Sequence, residues 1–401
     1  MIVIALSLTC WTSAPAEAPS YRWASRAGGE HFDYGTSVAV DNSGNTYLTG
    51  YFNGQFAFEE FTLEGKGESD IFVAKLDRLG KVLWIRQAGG LADDFSRSVA
   101  IDDVGNVYIA GSFQSPEVDF GGGITVKRQS DQAIFVAKYD PEGKLLWARG
   151  AGSGPGGTAN AVTVDKEGNV IIVGYFFGLG VFEDLTVKNA GYVDVFVAKY
   201  DANGGLIWVR QIGGHSDDIA SAVTVDEQGA IYLTGAFSEE MRVSARTRLE
   251  SAGLFDVFLI KLDAEGRTVW ALAEGGTMND VAYGIQLDPA GNIVITGGFA
   301  GSESFASEYR LHAAYRKPRK KYTCAKFSGK KLWSEGGSDV FVAKYNPAGR
   351  MIWARNVGGN KKGAPEAGYG MAIDALGHIH VVGTFAGRVL FGNNVLISMG
   401  I

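Results

Sequence analysis

"DNSGNTYLTGYF", residues 41–52, joins an Asp-Asn-Ser-Gly turn to a run of β-formers, the local signature of a hairpin. The chain writes it again as "DDVGNVYIAGSF" from Asp102, "DKEGNVIIVGYF" from Asp165, "DEQGAIYLTGAF" from Asp226, "DPAGNIVITGGF" from Asp288 and "DALGHIHVVGTF" from Asp374. The first five copies follow one another at 61, 63, 61 and 62 residues, and the sixth comes after 86. A fixed period of this length marks one supersecondary unit used repeatedly.

Around each copy the same pattern extends outward. A strand such as "TSVAVD" precedes the turn; after it come "TYLTGYF", a variable stretch, "DIFVAKLD", a second turn "RLGK", and "VLWIRQ" ending in Gly-Gly. These runs are short and rich in Val, Ile, Tyr, Phe and Trp, and nothing of helical period separates them. A four-stranded sheet of this size has two apolar faces and cannot bury both alone. Stacking it against identical neighbours solves the problem. The expectation is an all-β fold, a β-propeller of four-stranded antiparallel blades, forming one domain over residues 21–401. Blades start near residues 36, 97, 159, 220, 281 and 369.

The ends extend the pattern. "YRWASRAGG", from Tyr21, matches "VLWIRQAGG", so the N-terminal strand is expected to join the last blade and close the propeller. The sequence stops at "LISMGI", before any third strand of the sixth repeat. Six blades are visible, and a seventh is expected if the chain is truncated.

Repeated residues have structural readings. The Asp that ends each first strand suits an Asx turn, with the Gly three residues on supplying positive φ. Calcium binding by "DNSGN" is an alternative, but the loop has few carboxylates and lacks a closing Glu. Trp84, Trp147, Trp208, Trp270 and Trp353 recur on the fourth strand, as packing between blades. Lys75, Lys138, Lys199, Lys261 and Lys344 fall in the third strand, where a cation between packed sheets needs a partner. The strand-end Asp residues are the expected partners.

The unit "VDxxGNxYxTGxF…DxFVAKYDxxGxxxW" resembles the SBBP β-propeller repeat of bacterial exported and surface proteins, over nearly all of residues 21–401. The resemblance implies a fold and an exported or cell-surface setting; it implies no catalytic set.

With 37 Lys plus Arg against 44 Asp plus Glu, the net charge of -7 gives no footprint for nucleic acid. Residues 1–20 read as an export segment: an apolar run too short to span a bilayer, then Ala16-Glu17-Ala18 as a cleavage signal, although no Lys or Arg precedes Arg22. Extracellular or cell-surface localisation follows, with a periplasmic or lipid-anchored form through Cys10 as the alternative. Cys10 and Cys324 make no disulfide framework. An insertion at 304–325 in the fifth repeat carries "YRKPRKKY", read as a solvated basic loop.

The loops before each first strand and after each second strand vary between repeats and emerge on one face, the candidate binding surface. They offer Asp33, Asp93, Asp94, Asp217, Asp218, Asp280 and Glu366 as candidate ligand-binding residues; local capping of the inner strand is the competing reading. No GxSxG, Walker-type or HExxH motif occurs, and "GSGPGG" precedes a strand rather than a helix. His378 and His380 share a strand face without an evident third ligand, and His31 and His215 read as surface residues. No cofactor other than calcium is in question. The expectation is a non-catalytic scaffold binding a protein or glycan, as a monomer or a module of a longer chain. The alternatives are a polysaccharide hydrolase or lyase using Asp94 and Asp218, and a structural spacer.

Overall fold

The computed structural model describes residues 5–8, 23–300, 324–328, 330–334, 337–359, 366–391 and 394–398. The proposed cleavage site, Cys10 and the basic run 315–322 lie outside them. The described residues form strands and turns, with no helix among them. The chain divides into two compact units, one of Ser13–Asn189 with Val195–Gln211, the other of Met1–Thr12, Ala190–Asp194 and Ile212–Ile401.

The first and fifth repeats fold as their sequence pattern predicts. In the first, Asp33–Val40, Thr46–Phe52, Asp70–Leu76 and Val82–Ala88 form a four-stranded sheet in chain order, every pair antiparallel. The fifth has the same order in Asp280–Leu287, Ile293–Ala300, Ser338–Tyr345 and Met351–Val357. The turn is built by Asp41, whose Oδ1 accepts from the amides of Ser43 and Asn45 at 2.9 and 2.8 Å. Gly44 closes it at φ 84°, a region costly for residues with a β-carbon. A bulge between Gly35 and Ser37 drives the Tyr34 carbonyl against Gly50, so the "TG" of the motif must end in glycine.

The apolar faces bury against neighbouring repeats within each unit. Val73, Trp84, Ile109, Phe135 and Ala137 share one cluster between the first and second repeats. Tyr232, Leu259, Ile295 and Phe341 share another between the fourth and fifth. The valine, leucine, isoleucine and phenylalanine side chains among them each contribute about 1.5–3 kcal/mol on burial, and none of these faces could be buried by one repeat alone. The tryptophans are part of this seam. Trp147 packs over Gly204 and its Nε1 donates to the Ala202 carbonyl at 3.1 Å; Trp84 does the same over Gly143 to Pro141 at 3.0 Å.

The lysines divide in two. Lys199 and Lys344 pair with Asp165 and Asp288 at 2.9 and 2.6 Å. Lys75 and Lys138 instead donate to the carbonyls of Pro141 and Ala202, each at 3.2 Å, and lie over the rings of Tyr47 and Tyr108. The deciding residue sits six places after the turn Asp. Where it is Tyr47, Tyr108 or Tyr232, its hydroxyl takes the carboxylate and its ring takes the ammonium, and Lys261 stands 3.9 Å from Asp226. Where it is Ile171 or Val294, lysine and aspartate meet directly.

The sixth repeat has Ala367–Ile373 and Ile379–Thr384 but finds its next strand elsewhere. Ala5–Leu8 pairs antiparallel with Ile379–Thr384, and Ser7 stands opposite His380 as Lys75 stands opposite Tyr47. The apolar opening run therefore occupies the register of a third strand. Ala27–Gly28 pairs with Gln55–Phe58 of the first repeat, as the end of the third repeat's neighbour, Ala151, pairs with Phe182. In the fifth repeat, Cys324–Phe327 pairs with Lys330–Trp333, the counterpart of Gln55–Phe58 with Phe61–Glu64, so the repeat resumes directly after its insertion.

Candidate functional site

All seven acidic candidates start, or immediately precede, a first strand, and their geometry is set by the Gly-Gly that ends the strand before. The second glycine's amide donates to the acid: Gly29 to Asp33, Gly90 to Asp94, Gly214 to Asp218, Gly276 to Asp280 and Gly359 to Glu366, at 2.6–2.9 Å. The first glycine leaves room for another carboxylate, the Asp that opens a third strand. Gly275 lies against Asp256, Gly213 against Asp194 and Gly89 against Asp70.

Asp94, Asp217, Asp218, Asp280 and Glu366 are thus buried rather than presented as an acidic rim. Asp33 and Asp93 are half-buried. Asp217 caps through its backbone, its amide donating to Ser238 Oγ and its carbonyl accepting from the Ser238 amide. Asp93 receives the Gln114 amide on its carbonyl. The competing expectation, local capping of the inner strand, describes this arrangement.

Burial raises these carboxyls. Asp94 rises to about 6, mainly by loss of water, with Asp70 adding repulsion while Ser115 and Gly90 oppose the shift. Asp256 rises to about 7 for the same first reason. Asp218 and Asp280 lie well above the usual carboxylate range, and Glu366 is raised. The strand-end aspartates go the other way. Burial alone would raise Asp165, but bonds from Asn169 and Lys199 outweigh it.

Those turn aspartates are also saturated with donors. Asp41 accepts from two amides, from Asn45 Nδ2 at 2.7 Å and from the Tyr47 hydroxyl at 3.1 Å, which leaves little for calcium. Among the described residues no group of three or more His, Cys, Asp or Glu is arranged to hold a metal. His378 Nδ1 lies 2.7 Å from Asp374 Oδ2, in the place of Asn45. A cleft of about 450 Å³ is lined by Lys138, Trp147, Arg149, Ala202 and Asn203, but its polar side chains already bond to carbonyls across the seam.

The sequence reading missed an aromatic surface. Phe32, highly exposed, stacks on Tyr34 at 6.5 Å between centroids; Tyr34 stacks on Tyr51 at 5.1 Å, and Tyr51 meets Phe95 edge-on at 4.7 Å. The Arg97 guanidinium lies over the Phe95 ring, 5.4 Å from its centroid. Tyr34 and Tyr51 are cross-strand partners, and Phe95 occupies the Tyr34 position of the next repeat.

Residues 23–57, 83–112 and 207–236 match the β-propeller repeat family SBBP. The chain carries SBBP β-propeller repeats. Their matched stretches contain the fourth strand, the Gly-Gly and the hairpin whose geometry is given above. Among curated proteins this chain is 23% identical to an uncharacterized WD repeat-containing protein of Acanthamoeba polyphaga mimivirus, over 92% of this chain and 31% of that protein. It is 26% identical to the regulatory protein FlaEY of Caulobacter vibrioides, over 47% of this chain and 20% of that one. The chain therefore spans a third or less of either relative. Among solved structures, a Bacteroides caccae protein of unknown function aligns over 61% of this chain and 83% of its own, with 12% identity and a TM-score of 0.28. A Synechocystis apocarotenoid oxygenase mutant aligns over 78% and 66%, with 10% identity and a TM-score of 0.31. These two likenesses are loose and carry no argument about function.

Proposed function

We propose that this SBBP repeat protein is a non-catalytic interaction module that holds a protein partner on the aromatic surface of Phe32, Tyr34, Tyr51 and Phe95. The observation that carries this reading is the run of rings ending at Arg97, with its outer members exposed. Aromatic residues and arginine are the side chains that dominate binding energy at protein interfaces. Leu91, also highly exposed, adds apolar area in the equivalent loop of the second repeat.

Of the two ligand classes expected from the sequence, a protein fits better than a glycan. Sugar rings stack on free aromatic faces, whereas Tyr34 and Tyr51 are stacked on each other, with an interplanar angle of 28°. The similarity to a protein named for WD repeats agrees with an interaction role. The hydrolase reading lacks support in the buried state of Asp94 and Asp218, each held by a glycine amide.

Affinity capture from the source organism, followed by binding assays with the purified candidate, tests the proposal. Phe32→Ser with Tyr34→Ala should weaken binding by at least tenfold while leaving thermal stability near wild type. Undiminished binding by that variant, or specific recognition on a glycan array with no protein partner, would overturn it.

A further inference from the structure

At the junction of the fourth and fifth repeats, three side-chain oxygens are buried with no hydrogen-bond donor: Asp256 Oδ1, Asn279 Oδ1 and Asp280 Oδ1. The other oxygen of each carboxylate is fixed in place. Asp256 Oδ2 accepts from the Ala252 amide at 2.7 Å, and Asp280 Oδ2 from the Gly276 amide at 2.6 Å. Both side chains are at least 98% buried, being 2% and 1% exposed. Among the described residues no Lys or Arg forms an ion pair with either.

A second observation comes from comparing junctions. Asp70 occurs with Asp94, Asp194 with Asp218, Asp256 with Asp280, and Asp339 with Glu366. At the second repeat both positions change together, to Ala133 and Gly157, and Ser153 replaces the second glycine. A strand cap alone needs one carboxylate. Joint retention and joint loss indicate that the two negative charges act together.

The junctions are not equivalent. Asp94 is supplied by Ser115, whose hydroxyl donates to Oδ2 at 2.8 Å and whose amide donates to Oδ1 at 3.2 Å. Asp280 Oδ1 has no such donor.

We propose that Asp256, Asn279 and Asp280 bind a divalent cation of the calcium type. The donors are hard oxygens, two anionic and one neutral, without sulfur or imidazole, which selects calcium over zinc or copper. Two carboxylates match one divalent charge and cancel the cost of burying both. Main-chain carbonyls and water would complete the coordination.

The test uses the full chain stripped with EDTA, with calcium chloride as the probe. At neutral pH, millimolar calcium should raise Tm by several degrees, and calorimetry should detect binding. Asp256→Asn and Asp280→Asn should each remove the response. Asp256→Asn without calcium should be at least as stable as calcium-free wild type, because it deletes a buried charge while keeping the side chain's shape, so loss of response cannot be assigned to misfolding. The proposal is overturned if calcium leaves Tm unchanged, which would make the pair a proton-sharing one, or if the response survives in Asp256→Asn/Asp280→Asn.

Discussion

Asp256 occupies the space in which Gly275 would carry a side chain: a β-carbon built on Gly275 would lie 2.5 Å from Asp256 Oδ1. The glycine and the aspartate are 19 residues apart and define each other. Gly275→Ala should therefore push Asp256 off the Ala252 amide and cost about 1–3 kcal/mol, as overpacking does. Gly291 offers a control, since it sits at φ 75° with nothing within 4 Å of a built β-carbon. Gly291→Ala should cost only the backbone strain, about 1 kcal/mol. Chemical denaturation of the two variants checks this, and equal losses would remove the steric role assigned to the Gly-Gly motif.

The split among lysines predicts a split among variants. Lys199→Met leaves the buried Asp165 carboxylate without its ammonium and should cost about 3–5 kcal/mol. In Lys138→Met the strand-end Asp102 keeps the Tyr108 hydroxyl at 2.8 Å, so the loss should stay near 1–2 kcal/mol, the scale of a desolvated cation–π contact. Urea midpoints would measure the difference. A larger loss at Lys138 than at Lys199 contradicts the role given to the tyrosine.

The hairpin, the four-strand order and the seam tryptophans were legible because each depends on local chemistry that repeats: an Asx turn, a run of β-formers, a glycine under a bulge. The lysine partners were half legible. The aspartate was the right candidate, but the residue that decides the pairing, Tyr47 or Ile171, sits on a neighbouring strand, and strand register is needed to see that it faces the lysine. The acidic candidates read as loop residues, and the structure buries five of them at the start of the inner strands. Asp94 and Asp280 read as loop residues in sequence, yet the preceding glycine amides draw them inward. The aromatic run joins residues 32, 34, 51 and 95, whose proximity no linear spacing reveals.

Pairing of Ala5–Leu8 with Ile379–Thr384 makes the opening stretch a structural strand in register. Deleting residues 1–8 should expose that strand's backbone edge, lower Tm and promote self-association through it. Thermal scans and native mass spectrometry at several concentrations would show this. A deletion variant as stable and as monomeric as the parent would mean that the pairing does not contribute to the fold.

Stability should depend on pH with an acidic optimum when cations are absent. Burial raises Asp94 to about 6 and Asp256 to about 7, whereas in the unfolded chain both would lose their protons near pH 4. Across that window the folded state binds more protons than the unfolded one, so stability falls as pH rises through it. For Asp165 and Asp288 the sign is opposite: burial opposes ionisation, but the lysine and asparagine donors win and hold both below their ordinary value. Their contribution is complete above about pH 4 and is lost on further acidification. The two trends cross, and Tm in EDTA should be highest between about pH 4 and 5 and decline toward pH 8. Asp256→Asn should flatten the decline, because its amide has no proton to lose. A Tm that rises steadily from pH 4 to 8 in EDTA would show that the buried carboxyls ionise freely in the folded protein, and the carboxylate pairs would then need some other source of compensation than a proton or a cation.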